Sequence, residues 1–391
     1  MSLKRSKLSN IGIWLTAITI YLSIPPVQVW NYGWIHAVLL LFVIIWGLLY
    51  GRTTNPKSIL FFLLLVLLYT YLVFKAGYSF FRWPFQILLC AYVLLDTDYL
   101  HRAFNRFISI FSILLIPSLI SYALFFSGLI SLPELGRMDP IASSSTHELI
   151  HYPFLLISNT FQDGGFARFR AVFDEPGVVG TTAAISAVIL KYDFKDWRIY
   201  PIILAGVLSF SLSFFVLFTV GLLLFSKRKI NIIIISFVAI IVIYIVNTIF
   251  PDVVGELLLD RIQFDDGKLS GDNRTTKSFE LWYEQFKYTK EWWFGYGNNY
   301  SQVINYGGAS YKDLIVNYGI LFFVLYCGGF ILYALGQIKK GKEFLIYLVV
   351  FFVIMYQRPF IEMNFYFCLL LCPICALSSK LHKRIEPVCA S

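Results

Sequence analysis

Long apolar runs, broken at short intervals by glycine, proline and clustered charge, recur along almost the whole chain. Many approach the ~20 residues a helix needs to cross a bilayer. Twelve crossings fit, at approximately 11–30, 34–50, 58–74, 79–95, 107–130, 177–191, 199–210, 212–226, 231–249, 318–336, 343–356 and 362–379. The pattern therefore predicts an all-α, polytopic membrane protein with about 12 transmembrane helices, a single integral membrane domain over residues 1–391. The start, "MSLKRSKLSNIGIWLTAITIYL", has the basic head and apolar stretch of a secretion signal. It lacks a small-x-small cleavage site and reads as a retained first span. Two connections are long, 131–175 and 250–317, and the others are brief. No 20–50-residue repeat and no second soluble domain is visible, so function is expected in the two long loops and the spans that hold them.

Three stretches refine this outline. "WRIYPIILAGVLSFSLSFFVLFTVGLLLFSKRK" has basic residues at both ends, so an even number of crossings lies between them. Each half is short, and a turn at Ser209, Ser211 and Ser213 falls below the membrane surface, where irregular backbone survives only under protein or water. That hairpin is expected to line a cavity opening outward. From Thr275 to Trp293, Phe279, Trp282, Phe286, Trp292 and Trp293 interleave with Lys and Glu. This is the pattern of a short amphipathic helix on the membrane surface or over the cavity. "GYGNNY" follows, and Gly295 and Gly297 there fit either a close backbone approach to a ligand or a plain loop turn.

Composition sharpens the class. The chain is 58% hydrophobic and 14% charged, with mean hydropathy +0.71. Its net charge of +9 could suggest nucleic acid, but the distribution says otherwise. Nineteen of the 32 basic residues fall in seven short segments that the twelve crossings place on one side, among them Lys4–Lys7, Lys227–Lys229 and Lys380–Arg384. Such a bias marks the cytoplasmic side, which then holds both termini. The excess is a topology signal, and no nucleic-acid partner is implied. Of the six cysteines, Cys90, Cys327, Cys368, Cys372 and Cys375 fall in apolar spans and Cys389 in the tail. Without nearby histidine or carboxylate they read as small packing residues, and no disulfide framework holds the outer loops.

Against this apolar background, "ARFRAVFDEPGVVGTTAAI" concentrates Arg168, Arg170, Asp174 and Glu175 just before the sixth span. Pro176 suits a first helical position, and the helix dipole stabilises Asp174 and Glu175 beside it. The dipole does not explain the arginines. Arg168 and Arg170 alternate with Phe166, Phe169 and Val172, as in an extended segment with one polar face. Paired guanidinium groups there suit a phosphate or diphosphate at the membrane surface; snorkelling to lipid headgroups is the structural alternative. The later loop adds Arg261 and Arg274 around "FDDGKLSGDN", and Lys312 with Asp313 before the tenth span. Tyr296, Trp282 or Tyr300 could stack on sugar rings. Together these suggest a site for a lipid diphosphate carrying a sugar headgroup. Residues 147–151 read "HELIH", matching the HExxH zinc pattern, but Pro153 follows closely and no third ligand is evident, so no metal is expected.

These residues resemble the Arg-x-x-Gly-x-Phe-x-Glu-Pro motif of Wzy-type bacterial O-antigen polymerases and the related O-antigen ligases. Arg168, Phe173, Glu175 and Pro176 match it, with Ala171 in place of the glycine. The late loop is similar through Arg261, Gly271, Arg274 and Trp282, followed by "FGYG" and "LIVNYGILFF". Gly180 lies one position too far from Arg168 for the paired Arg-x10-Gly pattern of some polymerases. The ligases carry a histidine before the span after the late loop; "INYGGASYKDLIVNYG" has none, which favours a polymerase.

The resemblance implies a membrane-embedded glycosyltransferase at the periplasmic face of the bacterial inner membrane. It would join undecaprenyl-diphosphate-linked repeat units, donor and acceptor alike, by inverting, metal-independent transfer with no cofactor. Arg168, Arg170 and Arg274 would stabilise the leaving diphosphate, with Arg261, Tyr296, Lys312 and Asp313 binding substrate. Glu175 is the first candidate base, then Asp313 and His151. Membrane lipid and a chain-length regulator protein would be the remaining partners. A ligase-like transferase and a repeat-unit flippase stay open beside this reading.

Overall fold

The computed structural model describes residues 2–25, 33–53, 55–77, 82–138, 148–159, 167–225, 264–265, 268–269, 276–297, 300, 310–338 and 341–378, with single positions 241, 244 and 248. They are mostly helical. In chain order come α1 (Ser2–Leu22), α2 (Gly33–Tyr50), α3 (Pro56–Lys75), α4 (Arg82–Cys90) and α5 (Thr97–Ser127). Strands β1 (Gly136–Met138), β2 (Leu149–Tyr152) and β3 (Leu155–Ser158) follow, then α6 (Pro176–Ile189), α7 (Ile199–Leu208) and α8 (Leu212–Phe225). The two-residue strands β4 (Phe264–Asp265) and β5 (Lys268–Leu269) precede α9 (Lys277–Phe286) and α10 (Glu291–Phe294). The last helices are α11 (Tyr311–Gln337), α12 (Lys342–Gln357) and α13 (Asn364–Ala376).

Among the described residues, α3, α5 and α11 are long and apolar enough to cross a membrane, and α1, α2, α6, α7, α8 and α13 contain shorter apolar stretches. Of the expected crossing at 79–95, the described part is the nine-residue α4 and a single 3-10 turn over Ala91–Leu94, after which Leu95 pairs with Arg52 and the chain is back at the end where α3 starts. The helix expected from 107 begins at Thr97, because its polar first turns, "TDYLHRAFNR", continue the apolar ones without a break. The expected crossing at 231–249 lies outside the described residues except at three positions. The small β1–β2–β3 meander is a departure from an all-α chain.

The chain forms two compact units. One comprises residues 1–24, 28–107 and 274–391 and the other 25–27 and 108–273. In the first, α3 shows why its sequence makes a membrane-length helix. Asn55 caps it, accepting from the Lys57 amide at 3.1 Å; Pro56 opens it; twenty residues then rise about 30 Å. Phe61, Leu65, Leu68 and Leu72 are buried, whereas Leu60, Leu63, Leu67 and Phe74 are more than half exposed. A helix apolar on both its packed and its exposed side is compatible with lipid as the neighbour. The packed side meets α11, where Phe61 stacks on Tyr333 with centroids 4.7 Å apart and the Ser58 and Tyr333 hydroxyls lie 3.2 Å apart. The Tyr69 hydroxyl donates to Ile361 O at 2.6 Å, fixing the α12–α13 turn at the far end of α3.

In the second unit α6 is the buried centre. Gly180, Thr181, Thr182, Ala183, Ala184, Ser186 and Ala187 are small and enclosed, so α7 and α8 pack closely around it. A Cβ on Gly206 would lie 2.1 Å from Phe214, and one on Gly180 would lie 2.3 Å from Ser211 Cβ. The α7–α8 turn is thus covered by protein: Ser209, Ser211 and Ser213 are buried, Ser213 Oγ lies 2.8 Å from Thr181 Oγ1 and 2.7 Å from Ser211 Oγ. Protein fills the place where an outward cavity is expected from the sequence. The meander β1–β2–β3 is antiparallel, with Arg137 opposite Ile150 and Ile150 opposite Ile157.

Candidate functional site

The approach to α6 is an irregular strip, residues 167–175, pinned at several points. Phe169 N donates to Leu208 O at 3.0 Å, and Leu156 N donates to Ala171 O at 2.7 Å, tying the strip to α7 and β3. Arg168 donates from Nε to Ser209 O at 2.9 Å and from Nη2 to Phe210 O at 3.0 Å. These carbonyls sit just past the end of α7, where the helix leaves acceptors unfilled and Phe210 turns left-handed at φ 46. Two of the Arg168 nitrogens therefore serve the chain itself. Ala171 is also left-handed, φ 51, in the turn closed by Phe173 N to Arg170 O. A backbone of that kind favours glycine, which is what the resembling motif has at this position.

Arg170 differs. Its side chain is half-buried, and Nη1 donates to Asp174 O at 2.9 Å, while its buried Nε finds no acceptor among the described residues. Burial pushes the guanidinium below its ordinary value; Asp174 and then Glu175 pull in the opposite direction. Asp174 is buried, and Glu175 is the N-cap residue of α6 by its extended backbone, its side chain making no cap bond. Two cations, Arg168 and Arg170, precede two carboxylates, Asp174 and Glu175, at the mouth of an otherwise uncharged helix.

Tyr296, Lys312 and Asp313 belong to the other compact unit. Lys312 Nζ is held by Glu280, 2.6 and 2.7 Å from its two carboxylate oxygens, and lies 5.1 Å from the Tyr283 ring centre. Asp313 Oδ1 accepts from Asn317 Nδ2 at 3.0 Å. Tyr296 stacks on Tyr300 at 4.1 Å and on Phe286 at 5.6 Å, and burial raises its hydroxyl pKa. The amphipathic pattern is realised as α9, capped by Thr276 Oγ1 accepting from Phe279 N at 3.2 Å. Its apolar face, Phe279, Tyr283 and Phe286, packs on Ile315 and Val316 of α11. That face is covered by the chain's own helix.

Gly295 and Gly297 do make a close backbone approach, and its partner is the chain. A Cβ on Gly295 would stand 2.3 Å from Asn317 O, and one on Gly297 2.2 Å from Lys75 O. Opposite them α11 is broken at Gly319, φ 89 and ψ 162. Val316 O and Asn317 O accept from Tyr296 N and Gly297 N, both at 2.8 Å, and the Tyr71 hydroxyl reaches Tyr318 O at 3.3 Å. The acceptors released by the break are thus refilled from the adjacent loop and from α3.

Sequence reading missed Arg358 and Glu362, in the α12–α13 turn. Arg358 is 4% exposed, with Nη1 3.5 Å from the Tyr366 hydroxyl; Glu362 Oε1 accepts from Tyr318 Oη at 2.8 Å. A charged pair inside "MYQRPFIEMNF", between two apolar runs, was the available signal. His151 lies in β2, so the helical face that HExxH requires does not form there; burial lowers its pKa. Arg261, Arg274 and His147 lie outside the described residues. Cys368, Cys372 and Cys375 are buried free thiols of α13.

Comparison with family models, with curated proteins and with solved structures finds no match. What fold and site define is a mostly helical chain with several membrane-like helices and a charged strip at the start of α6, the buried centre of the second unit.

Proposed function

We propose that the chain is a polysaccharide polymerase of the bacterial inner membrane. It would cross the membrane about twelve times with both termini in the cytoplasm and join undecaprenyl-diphosphate-linked oligosaccharide units at the periplasmic face. The observation that carries this reading is Arg170, a half-buried guanidinium beside Asp174 and Glu175 whose buried Nε has no acceptor among the described residues. The motif around it, from Arg168 to Pro176, resembles that of the O-antigen polymerases.

In the proposed step an acceptor sugar hydroxyl attacks the donor's anomeric carbon. The carbon–oxygen bond to the diphosphate breaks with inversion, the diphosphate leaves with the electron pair, and a carboxylate takes the hydroxyl proton. Arg170 meets the developing negative charge. Arg168 holds the strip that carries Arg170, through its bonds to Ser209 O and Phe210 O. Glu175 is the proposed base.

Deleting the protein and separating lipid-linked glycans by size tests the reading. A single-repeat band without a ladder is expected. A missing periplasmic single repeat would mean a flippase instead, and long chains left untransferred to their acceptor would mean a ligase.

A further inference from the structure

A second polar site lies in the unit that holds α3 and α11. A cleft of about 540 Å³ is lined by Arg52, Thr53, Asn55, Lys57, Asp96 and Gln337. Its floor is built. Arg52 and Leu95 form an antiparallel bridge, Thr53 N donates to Leu94 O at 2.9 Å, and Ile338 bridges Ser378. Lys57 lies across α11, its Cδ 3.1 Å from where a Cβ of Gly336 would sit, so the helix offers no side chain there to block the cleft.

Two features point to a ligand. The first is position. Asn55 and Lys57 stand at the start of α3, Asp96 directly before α5, and Gln337 at the end of α11, which are the three helices long enough to cross a membrane. The cleft therefore sits at one shared end of all three, the end that the charge distribution assigns to the cytoplasm. The second is charge. Arg52, Lys57 and Asp96 line one cleft, yet none of them forms an ion pair among the described residues. Nearby Asp98 and Arg102, by contrast, pair with each other at 3.3 Å. Opposite charges around a shared space, not spent on one another, suit a ligand bearing both signs.

We propose that this cleft binds a phosphate–ammonium zwitterion of the kind carried by ethanolamine phospholipids, the phosphate on Arg52 and Lys57 and the ammonium on Asp96. Basic clefts between helices at the cytoplasmic surface take anionic headgroups; the added carboxylate selects for a primary ammonium. A quaternary ammonium cannot donate to Asp96, and a glycerol headgroup brings no cation.

The test uses the purified full chain, stripped of lipid in detergent, with native mass spectrometry and thermal unfolding as readouts. Phosphatidylethanolamine should bind at least tenfold tighter than phosphatidylglycerol or phosphatidylcholine. Asp96→Asn should remove that preference while still binding phosphatidylglycerol, and Lys57→Gln should weaken all three. O-phosphoethanolamine alone identifies the source: protection by the lipid only means a bilayer headgroup, and equal protection by the soluble compound means a free metabolite of the same chemistry. Equal binding of the three lipids to the unsubstituted protein, or a preference unchanged in Asp96→Asn, overturns the proposal.

Discussion

A guanidinium nitrogen buried without an acceptor costs free energy unless something completes it, and Arg170 Nε has none among the described residues, beside Asp174 and Glu175. Arg168, two residues earlier, has a different task. It fills two carbonyls at the end of α7, so Arg168→Ala should destabilise the protein by about 1.5–3 kcal/mol, visible as a lower unfolding temperature in detergent. Ala171 carries a left-handed backbone, and Ala171→Gly should raise stability by about 1 kcal/mol in the same measurement. From the sequence both arginines could be placed before α6 on one polar face. Their separate roles could not be read there, because the acceptors of Arg168 lie some forty residues away, on a turn whose direction only packing decides. Lys312 makes the same point: its partner Glu280 is thirty-two positions back, on α9.

Among elements, the break in α11 is the feature most dependent on single residues. Gly319 and Gly295 both adopt backbones essentially reserved for glycine, and a Cβ on either would meet backbone atoms at 2.3 Å. Gly319→Ala should cost about 2 kcal/mol or more and lower the yield of folded protein on size-exclusion chromatography. The short sheet should respond to acid. Burial holds His151 below its ordinary value of about 6.5, so protonation favours the unfolded form. Stability contributed here is complete above about pH 6.5 and is lost as pH falls toward the folded-state value. Amide exchange over residues 149–158, corrected for intrinsic rates, should show weaker protection at pH 5 than at pH 7.5, and His151→Gln should flatten that difference. The aromatic spacing of 279–293 made α9 legible, since a 3.6-residue period survives without context. The three strands were not legible, because each is three or four residues long and its pattern is shorter than one period of doubt between strand and loop.

At the scale of the whole molecule, hydropathy identified α3, α5 and α11 as membrane-length and found most of the shorter apolar helices. It could not show that the α7–α8 serines face protein rather than water. One chemical rule, that charge in an apolar chain is kept where it meets a ligand or a partner, underlies both proposals: the strip at α6 and the cleft at the ends of α3 and α11. The central claim is that Arg170 stabilises a departing diphosphate. Its most direct test is chain growth by the purified protein in proteoliposomes supplied with lipid-linked repeat units, comparing unsubstituted protein with Arg170→Gln at matched folded amounts. Growth should fall at least about 100-fold in the variant, with the unfolding temperature little changed. Chain growth within a fewfold of the unsubstituted protein would contradict it.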